Sequence, residues 1–159
     1  MEELHLQKLK IIQKSRLYSS VAFPNADEPS YVNGCLEIEA ECRAYDVLTC
    51  LKKIELKMGR LDNTRWGSRV CDLDLLTFSD SIFPEKKIFD YWYKMSLEMQ
   101  IKRKPGNLLL PHPRIQDRAF VLRPLMEVGA DWVHPVLKLS VREMFAALSK
   151  KERDAVIPI

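Results

Sequence analysis

The order of the predicted elements indicates a single domain of the α+β class. Alternating side chains predict a strand over residues 31–41, an apolar stripe predicts a helix over 45–58, and a second strand is predicted over 70–78. Two further helices are predicted over 118–126 and 140–150. Strands separated by a helix, with terminal helices behind them, favour a ferredoxin-like α/β sandwich with an antiparallel sheet and extra C-terminal helices. Helices would cover one sheet face and leave the other for ligands.

The strands and loops of the first half follow from alternation and from turn-forming residues. Residues 3–10 are compatible with the end of a helix, and 11–20 with a weakly alternating strand. Two prolines, an asparagine and an aspartate predict a loop over 21–30. In the strand that follows, Tyr31 and Asn33 are two positions apart, so we expect their side chains to share one face.

The helices follow from apolar spacing and from their end signals. Residues 89–104 predict a helix that a Pro-Gly pair stops, and Ser140 with Glu143 forms a capping-box pattern at the last helix. The helix over 45–58 ends before Gly59, a residue suited to the C′ position. Its expected inward positions are Val47, Leu48, Leu51, Ile54 and Met58.

Length and composition are those of an ordinary globular domain. The chain has 159 residues, 47% of them hydrophobic and 30% charged, which suffices for one core. We expect one domain over 1–159 with an insertion at about 88–106. The cluster of Tyr91, Trp92 and Met95 in this insertion favours packing on the domain, with a partner or dimer contact as the alternative. A net charge of +3 suits an anionic small molecule and does not demand nucleic acid.

Cysteine spacing and the absence of apolar runs predict a cytoplasmic protein without membrane contact. The four cysteines form no C-x-x-C pair and no zinc-binding spacing, which favours reduced thiols. The first ten residues are too charged for a signal peptide, and no run approaches the length of a membrane span.

Asp72 and Asp74 are the most informative pair of residues. They share one face of the predicted strand, where aspartate is disfavoured and like charges repel. A hard divalent cation offsets that cost, because Mg²⁺ is typically held by one or two carboxylates together with substrate phosphates. The alternative is a surface pair that nearby arginines such as Arg69 neutralise.

The segments on either side of this pair add cations and aromatic rings. The stretch 59–69 holds three arginines, two glycines and Trp66, and 110–125 holds His112, three more arginines and Phe120. Guanidinium groups suit phosphate oxygens, and aromatic faces suit a planar ring. Acids for Mg²⁺, arginines for polyphosphate and aromatic rings for a flat substrate together predict a site for a nucleotide and a planar compound.

These segments, in this order, resemble the 6-hydroxymethyl-7,8-dihydropterin pyrophosphokinase family of folate biosynthesis. The likeness runs from about Ser15 to about Leu137. Its two most specific strings are Arg65-Trp66-Gly67-Ser68-Arg69 with Asp72-Leu73-Asp74, and Pro111-His112-Pro113-Arg114 with Arg118-Ala119-Phe120-Val121-Leu122. Pro29-Ser30-Tyr31-Val32-Asn33 and the stretch from Glu55 to Arg60 also match.

The resemblance implies a role for each matching residue. Asp72 and Asp74 would hold two Mg²⁺ ions and act in catalysis with Arg60 and Arg69. The residues expected to contact ATP are Glu55, Arg60, Arg69, His112 and Arg118. Those expected to bind the pterin are Tyr31, Asn33, Trp66 and Phe120.

The activity implied is transfer of the ATP diphosphate to the pterin hydroxymethyl oxygen, which releases AMP. ATP and hydroxymethyl-dihydropterin would be the partners, with no nucleic acid and no membrane. A monomer is expected, with a dimer as the alternative. Two other functions stay open: a nucleotide-binding family member without turnover, and a ferredoxin-like nucleic-acid-binding module, for which Lys102-Arg103-Lys104 supplies a basic run.

The chain also departs from the family pattern. Asp62 stands where a second arginine usually follows Arg60, and the loop over 21–28 is shorter than usual. No apolar strand with a Gly-Ser-Asn-like turn is found at the front. We therefore expect unpaired strand edges and low stability. Three explanations are open: a true start upstream, recruitment of residues 1–10, or a second chain; the first is our hypothesis.

Overall fold

The computed structural model describes residues 9–21, 29–59, 71–103 and 105–159, without the side chains of Leu97 and Ile101. Strands and helices follow one another in the order of the chain. They are β1 (Leu9–Lys14), β2 (Tyr18–Ser20), β3 (Tyr31–Asn33), β4 (Leu36–Ala40), α1 (Ala44–Lys57), α2 (Lys86–Lys94), α3 (Leu97–Lys102), a 3-10 turn (Ile115–Asp117), α4 (Ala119–Gly129), α5 (Val141–Ala147), α6 (Lys150–Asp154) and β5 (Ile157–Pro158).

The strands form two antiparallel sheets. β1 pairs with β4, from Leu9 opposite Ala40 to Lys14 opposite Leu36. β2 lies between β3 and β5 in the second sheet. Antiparallel sheets combined with helices confirm the α+β class. No described helix is long and apolar enough to cross a bilayer.

Two predicted strands are each divided between the two sheets. The strand predicted over 11–20 forms β1 and β2, and the strand predicted over 31–41 forms β3 and β4. The break occurs at one place, where the Ser15 N–H donates to the Cys35 carbonyl and the Ser15 hydroxyl accepts from the Cys35 N–H, both at 2.9 Å. The two strands bend together at this pair, because the Ser15 hydroxyl satisfies an N–H that a straight ladder would otherwise use.

α1 forms as predicted and supplies one wall of the core. Val47, Leu51 and Ile54 are buried and pack with Leu9 of β1. Met58, predicted to point inward, is 48% exposed because the helix has already ended at Lys57. The residue after it, Gly59, has a φ of +92°, the left-handed conformation expected of a C′ glycine.

The segment 71–78 does not form the strand that was predicted over 70–78. It pairs with no described strand, although its side chains still alternate, with Asp72 and Asp74 exposed. Leu73 and Leu75 pack against the α1 cluster, and Leu76 packs against a second cluster around α4 and α5. The segment and β4 border the same cavity.

The insertion folds into two short helices instead of the one predicted over 89–104. α2 ends at Lys94, and Ser96 begins α3 by accepting a hydrogen bond from the Met99 N–H at 3.4 Å. Phe89 is fully buried, with its ring 5.6 Å from that of His134. Phe89 thus anchors the insertion on the C-terminal part of the domain, whereas Tyr91 of the aromatic cluster is 54% exposed.

The C-terminal helices contribute the second core cluster. α4 and α5 form where they were predicted, and Ser140 and Glu143 make the expected capping box. The helix predicted to reach residue 150 ends at Ala147, since Ser149 begins a new helix with its own capping box. The buried members of this cluster are Cys35, Ile115, Leu122, Leu125, Val141, Met144 and Phe145.

Candidate active site

A cavity of about 1260 Å³ lies between β4, the segment 72–79, α1 and α4. Seven of the eleven residues predicted from the sequence border it: Tyr31, Asn33, Asp72, Asp74, His112, Arg118 and Phe120. Arg60, Trp66 and Arg69 lie outside the described residues. Glu55 is described but does not border the cavity. The structure therefore brings together residues far apart in the chain to which the family resemblance gives one shared site.

Asp72 and Asp74 are exposed at the cavity wall, one residue apart on the same side of the backbone. Within the described ranges, no group of three or more His, Cys, Asp and Glu side chains is arranged to hold a metal ion. Two carboxylates nevertheless fit Mg²⁺, which takes oxygen ligands and usually completes its coordination shell with water and substrate phosphates.

Glu55 holds the backbone of the acidic segment from behind. Its side chain is fully buried and accepts a hydrogen bond from the Leu73 N–H at 2.7 Å. Lys52 balances its charge, with Nζ 3.0 Å from a carboxylate oxygen. Because Leu73 separates the two aspartates, these contacts support a positioning role for Glu55, and its contact with ATP stays a prediction.

His112 is tied to the same segment by its backbone N–H, which donates to the Leu76 carbonyl at 2.8 Å. Burial lowers the pKa of the ring to about 4, as does the charge of Arg118, whereas Asp74 acts in the opposite sense. Nδ1 accepts a hydrogen bond from the Arg114 N–H at 3.1 Å. The neutral ring therefore carries its proton on Nε2, which can donate to an anionic oxygen.

Arg118 is the residue before α4 and brings a guanidinium group to the cavity. Burial lowers its pKa, while the charges of Asp74 and Asp72 raise it. Its guanidinium carbon lies 5.7 Å from the centre of the Phe120 ring. Arg114 is committed elsewhere, since it bonds Asp117 at 2.6 Å.

Tyr31, Asn33 and Phe120 bring flat and amide-bearing side chains to the same cavity. Tyr31 and Asn33 are both half-buried while Val32 between them is exposed, which confirms that they share a face of β3. The Asn33 amide donates to the Ser20 hydroxyl at 2.9 Å. This bond fixes the orientation of the carboxamide at the cavity wall.

The sequence analysis did not identify two cavity residues of the insertion. Gln100 and Arg103 of the α3 region border the cavity, although the insertion was expected to serve packing or partner contacts. The basic run Lys102-Arg103-Lys104 was the available signal, but it was interpreted as part of a nucleic-acid or partner surface and not of the cavity.

Comparison with known proteins gives the family. The sequence profile described as 7,8-dihydro-6-hydroxymethylpterin-pyrophosphokinase (HPPK) matches residues 1–130. The chain is 32% identical to the 2-amino-4-hydroxy-6-hydroxymethyldihydropteridine pyrophosphokinase of Synechocystis sp. over 127 residues, which cover 80% of this chain and 54% of that protein. It is also 32% identical to the Pseudomonas aeruginosa protein of the same name over 126 residues, 79% of this chain and 65% of that one.

A longer relative is the folic acid synthesis protein fol1 of Pneumocystis carinii, 27% identical over 158 residues. The match covers 99% of this chain and 19% of that protein, so the chain spans about a fifth of it and about half of the Synechocystis relative. The profile match covers most of the chain and includes the whole candidate site, and the chain belongs to the HPPK family.

Proposed function

We propose that the chain transfers the diphosphate of ATP to the hydroxymethyl oxygen of 6-hydroxymethyl-7,8-dihydropterin and releases AMP. The observation that carries this proposal is the meeting of three sets of residues at one cavity: the Asp72 and Asp74 carboxylates, the His112 and Arg118 donors, and the aromatic and amide side chains of β3 and α4. The printed names of the curated relatives describe the same activity for those proteins.

Asp72 and Asp74 are the residues that would hold two Mg²⁺ ions. When bound, the metal would neutralise phosphate charge and lower the pKa of the substrate hydroxyl. Asp72 and Asp74 are both exposed, so their carboxylate oxygens can take up a cation without the cost of opening a buried site.

The chain's own donors would position the triphosphate. The Nε2–H of His112 and the guanidinium of Arg118 would donate to phosphate oxygens, joined by Arg60 and Arg69 as the family resemblance implies. The hydroxymethyl oxygen would attack the β-phosphorus, the bond from that phosphorus to the α–β bridging oxygen would break, and AMP would leave. The hydroxyl proton would pass to solvent, since no described side chain at the cavity is assigned as its base. Catalysis would rest on positioning and on charge.

The pterin would lie at the β3 end of the cavity. Tyr31 and Phe120 would stack on its ring, Asn33 would hydrogen-bond its amide-like edge, and Trp66 would close over it. The hydrogen bond that the Asn33 amide donates to the Ser20 hydroxyl supports this arrangement, because it orients the carboxamide at the cavity wall.

Nucleic-acid binding is less well supported than this activity. The described cavity lining includes the carboxylates of Glu37, Glu39, Asp72 and Asp74 and the guanidinium groups of Arg103 and Arg118. With His112 neutral, the acids outnumber the cations, and such a surface repels a phosphate backbone. A small nucleotide that arrives with Mg²⁺ does not meet this obstacle.

We further propose that the protein acts as a monomer in the cytoplasm. All four cysteines are free thiols, as expected of a reducing compartment. Light scattering of the purified protein measures the oligomeric state directly, and a stable dimer would contradict this proposal.

The decisive experiment measures AMP release from ATP with and without the hydroxymethyl-dihydropterin. We expect pterin-dependent AMP formation that stops when a chelator removes Mg²⁺. ATP binding without pterin-dependent AMP release would favour the nucleotide-binding alternative. Failure to bind ATP, together with binding of single-stranded RNA, would favour the nucleic-acid alternative.

A further inference from the structure

We infer that Arg103, a residue of the insertion, binds the polyphosphate of ATP at the edge of the catalytic cavity. The inference rests on the proposed function for the identity of the ligand. It assigns a substrate contact to a segment whose other described contacts serve to pack it on the domain.

The position of Arg103 is fixed by both helices of the insertion. Its backbone N–H donates to the Met99 carbonyl at 3.0 Å and ends α3. Its Nη1 donates to the hydroxyl of Tyr91 on α2 at 2.8 Å. Together with the backbone bond, this contact orients the guanidinium group at the cavity edge.

Arg103 borders two neighbouring cavities. One is the catalytic cavity, which Gln100 of the preceding helical turn also borders. The other is a smaller cavity of about 510 Å³ within the insertion, bordered by Lys87, Tyr91 and Met99 among others. The side chain therefore stands where the insertion opens onto the site that the proposed function assigns to ATP and the pterin.

The charges at the catalytic cavity give this position its importance. Among the described residues that border it, Arg103 and Arg118 are the two arginines, against four carboxylates. Asp74 and Asp72 interact electrostatically with Arg118, so part of its charge is offset before ATP binds. ATP carries about four negative charges at neutral pH, and a second guanidinium suits its phosphate oxygens because charge-assisted hydrogen bonds are the strong ones.

The neighbouring residue provides a matched control. Lys102 is also a cation of α3, but it forms an ion pair with Glu98 on the exposed side of the helix. It does not border the catalytic cavity. Substituting Lys102 therefore changes the net charge of the insertion by the same amount as substituting Arg103, without removing the proposed contact.

The experiment measures binding of α,β-methylene-ATP in the presence of Mg²⁺ by calorimetry, because this analogue blocks the bond that the proposed reaction breaks. We expect Arg103→Ala to weaken binding about tenfold, the loss typical of one charge-assisted contact. Arg103→Lys should recover part of the affinity. Tyr91→Phe should weaken binding by about two- to threefold, since it frees Arg103 to adopt other rotamers. Lys102→Ala should stay within about twofold of wild type.

Two results would overturn the inference: an Arg103→Ala affinity within twofold of wild type, or an equal loss in Lys102→Ala, which would reveal a net-charge effect. Thermal midpoints identify any variant that fails to fold, and Tyr91→Phe tests the contact with Arg103 still present. If wild-type protein binds the analogue but releases no AMP, the proposed turnover is overturned. The inference about Arg103 is then still tested by the affinities of its variants for the analogue. Wild-type protein that does not bind the analogue would overturn both.

Discussion

Glu55 is fully buried, and its carboxylate bonds the Leu73 N–H at 2.7 Å and the Lys52 ammonium at 3.0 Å. A buried carboxylate is costly unless hydrogen bonds and an opposite charge compensate it, and here both do. The bond to Leu73 fixes the backbone between Asp72 and Asp74. The two exposed acids lie in a segment without a described sheet partner, and Glu55 of the helix behind them bonds the backbone between them.

The two aspartates are expected to be essential for turnover and dispensable for folding. Asp72→Ala and Asp74→Ala should each lower Mg²⁺-dependent AMP release at least about a hundredfold, the scale seen when one electrostatic stabiliser of a transition state is removed. Both side chains are exposed, so the thermal midpoint should stay or rise as mutual repulsion is relieved. Asp80→Ala, an exposed acid of the next turn, is the matched control. Unchanged turnover in either variant would contradict the metal assignment.

Substitution of Glu55 should separate charge from backbone positioning. Glu55→Ala leaves the buried Leu73 N–H without its acceptor, which should cost about 1–3 kcal/mol in the free energy of unfolding. Glu55→Gln keeps an amide oxygen for that N–H and should retain more stability and a near-normal Mg²⁺ dependence of turnover. Denaturant unfolding and Mg²⁺ titration of AMP release measure the two effects. If Glu55→Gln loses ATP affinity while keeping stability, the nucleotide contact predicted from the sequence is the better assignment.

At the scale of elements, α1, α4 and α5 could be predicted from sequence, whereas the division of the insertion into two helices and the pairing of the strands could not. α1, α4 and α5 carry their own signals in apolar spacing, in Gly59 and in the Ser140–Glu143 box, all of which act within a few residues. Strands depend on partners elsewhere in the chain. The paired bend at Ser15 and Cys35 has no local signature, and the segment 71–78 alternates correctly yet finds no described partner.

The residues of the candidate site also divide into those that a local motif predicts and those that depend on contacts with distant parts of the chain. Its side chains could be selected because their chemistry is specific and their motifs are short, and seven of them do meet at one cavity. The contribution of Arg103 could not be selected, because it depends on how α2 and α3 pack. That packing rests on hydrogen bonds between the two helices, from the Gln100 amide to the Trp92 carbonyl and from Arg103 to the Tyr91 hydroxyl, which no motif predicts.

Phe89 is expected to anchor the whole insertion. Its ring is fully buried, stacks on Tyr93 with centroids 6.0 Å apart, and meets His134 at 5.6 Å. Phe89→Ala should lower the free energy of unfolding by about 3–5 kcal/mol, as is usual for a buried phenylalanine. Ile88→Ala, at a position 38% exposed, should cost less than about 1 kcal/mol. Denaturant unfolding tests both, and equal losses would mean that the insertion is not anchored through Phe89.

At the scale of the whole molecule, the cavity of the candidate site lies between two hydrophobic clusters. One contains Leu9, Val47, Leu51 and Ile54, and the other is built around α4 and α5. β4 and the segment 71–78 border the cavity between them, each without a described strand on that side. Unpaired edges of this kind lower stability and favour association. The low stability expected from the sequence stays a prediction that a thermal melt can check.

Glu127 of α4 is the main polar connection between the bend that follows β1 and the second cluster. Its carboxylate accepts hydrogen bonds from the Arg16 N–H and Nε, each at 2.7 Å, and from the Tyr18 hydroxyl at 2.6 Å. The hydrogen bonds from Arg16, then that from Tyr18, lower the pKa of Glu127 to about 2. A carboxyl group with a depressed folded-state pKa stabilises the fold above its unfolded value and loses that contribution as the pH falls through the folded value.

The stability that Glu127 contributes should therefore be complete above about pH 4.5 and disappear between there and about pH 2. Its carboxylate is 25% exposed and its partner Arg16 is 67% exposed, so screening should reduce the contribution to about 1 kcal/mol. Glu127→Gln should lower the free energy of unfolding by that amount at pH 7, and the difference from wild type should shrink as the pH falls below 4.5.

Wild type and Glu127→Gln must be compared at each pH, because two histidines also change the stability of both proteins between pH 6.5 and 4. Burial lowers the pKa of both His112 and His134 to about 4, so both should destabilise the fold in wild type and variant alike as the pH falls from 6.5 towards 4. Asp131→Asn removes an exposed ion pair with Arg142 and should have little effect at any pH. Urea unfolding at several pH values measures all three proteins. The contrary result is a difference in the free energy of unfolding between wild type and Glu127→Gln that stays unchanged down to pH 2.5. That result would show that Glu127 acts through packing, and that apolar contacts connect the two clusters instead of this carboxylate.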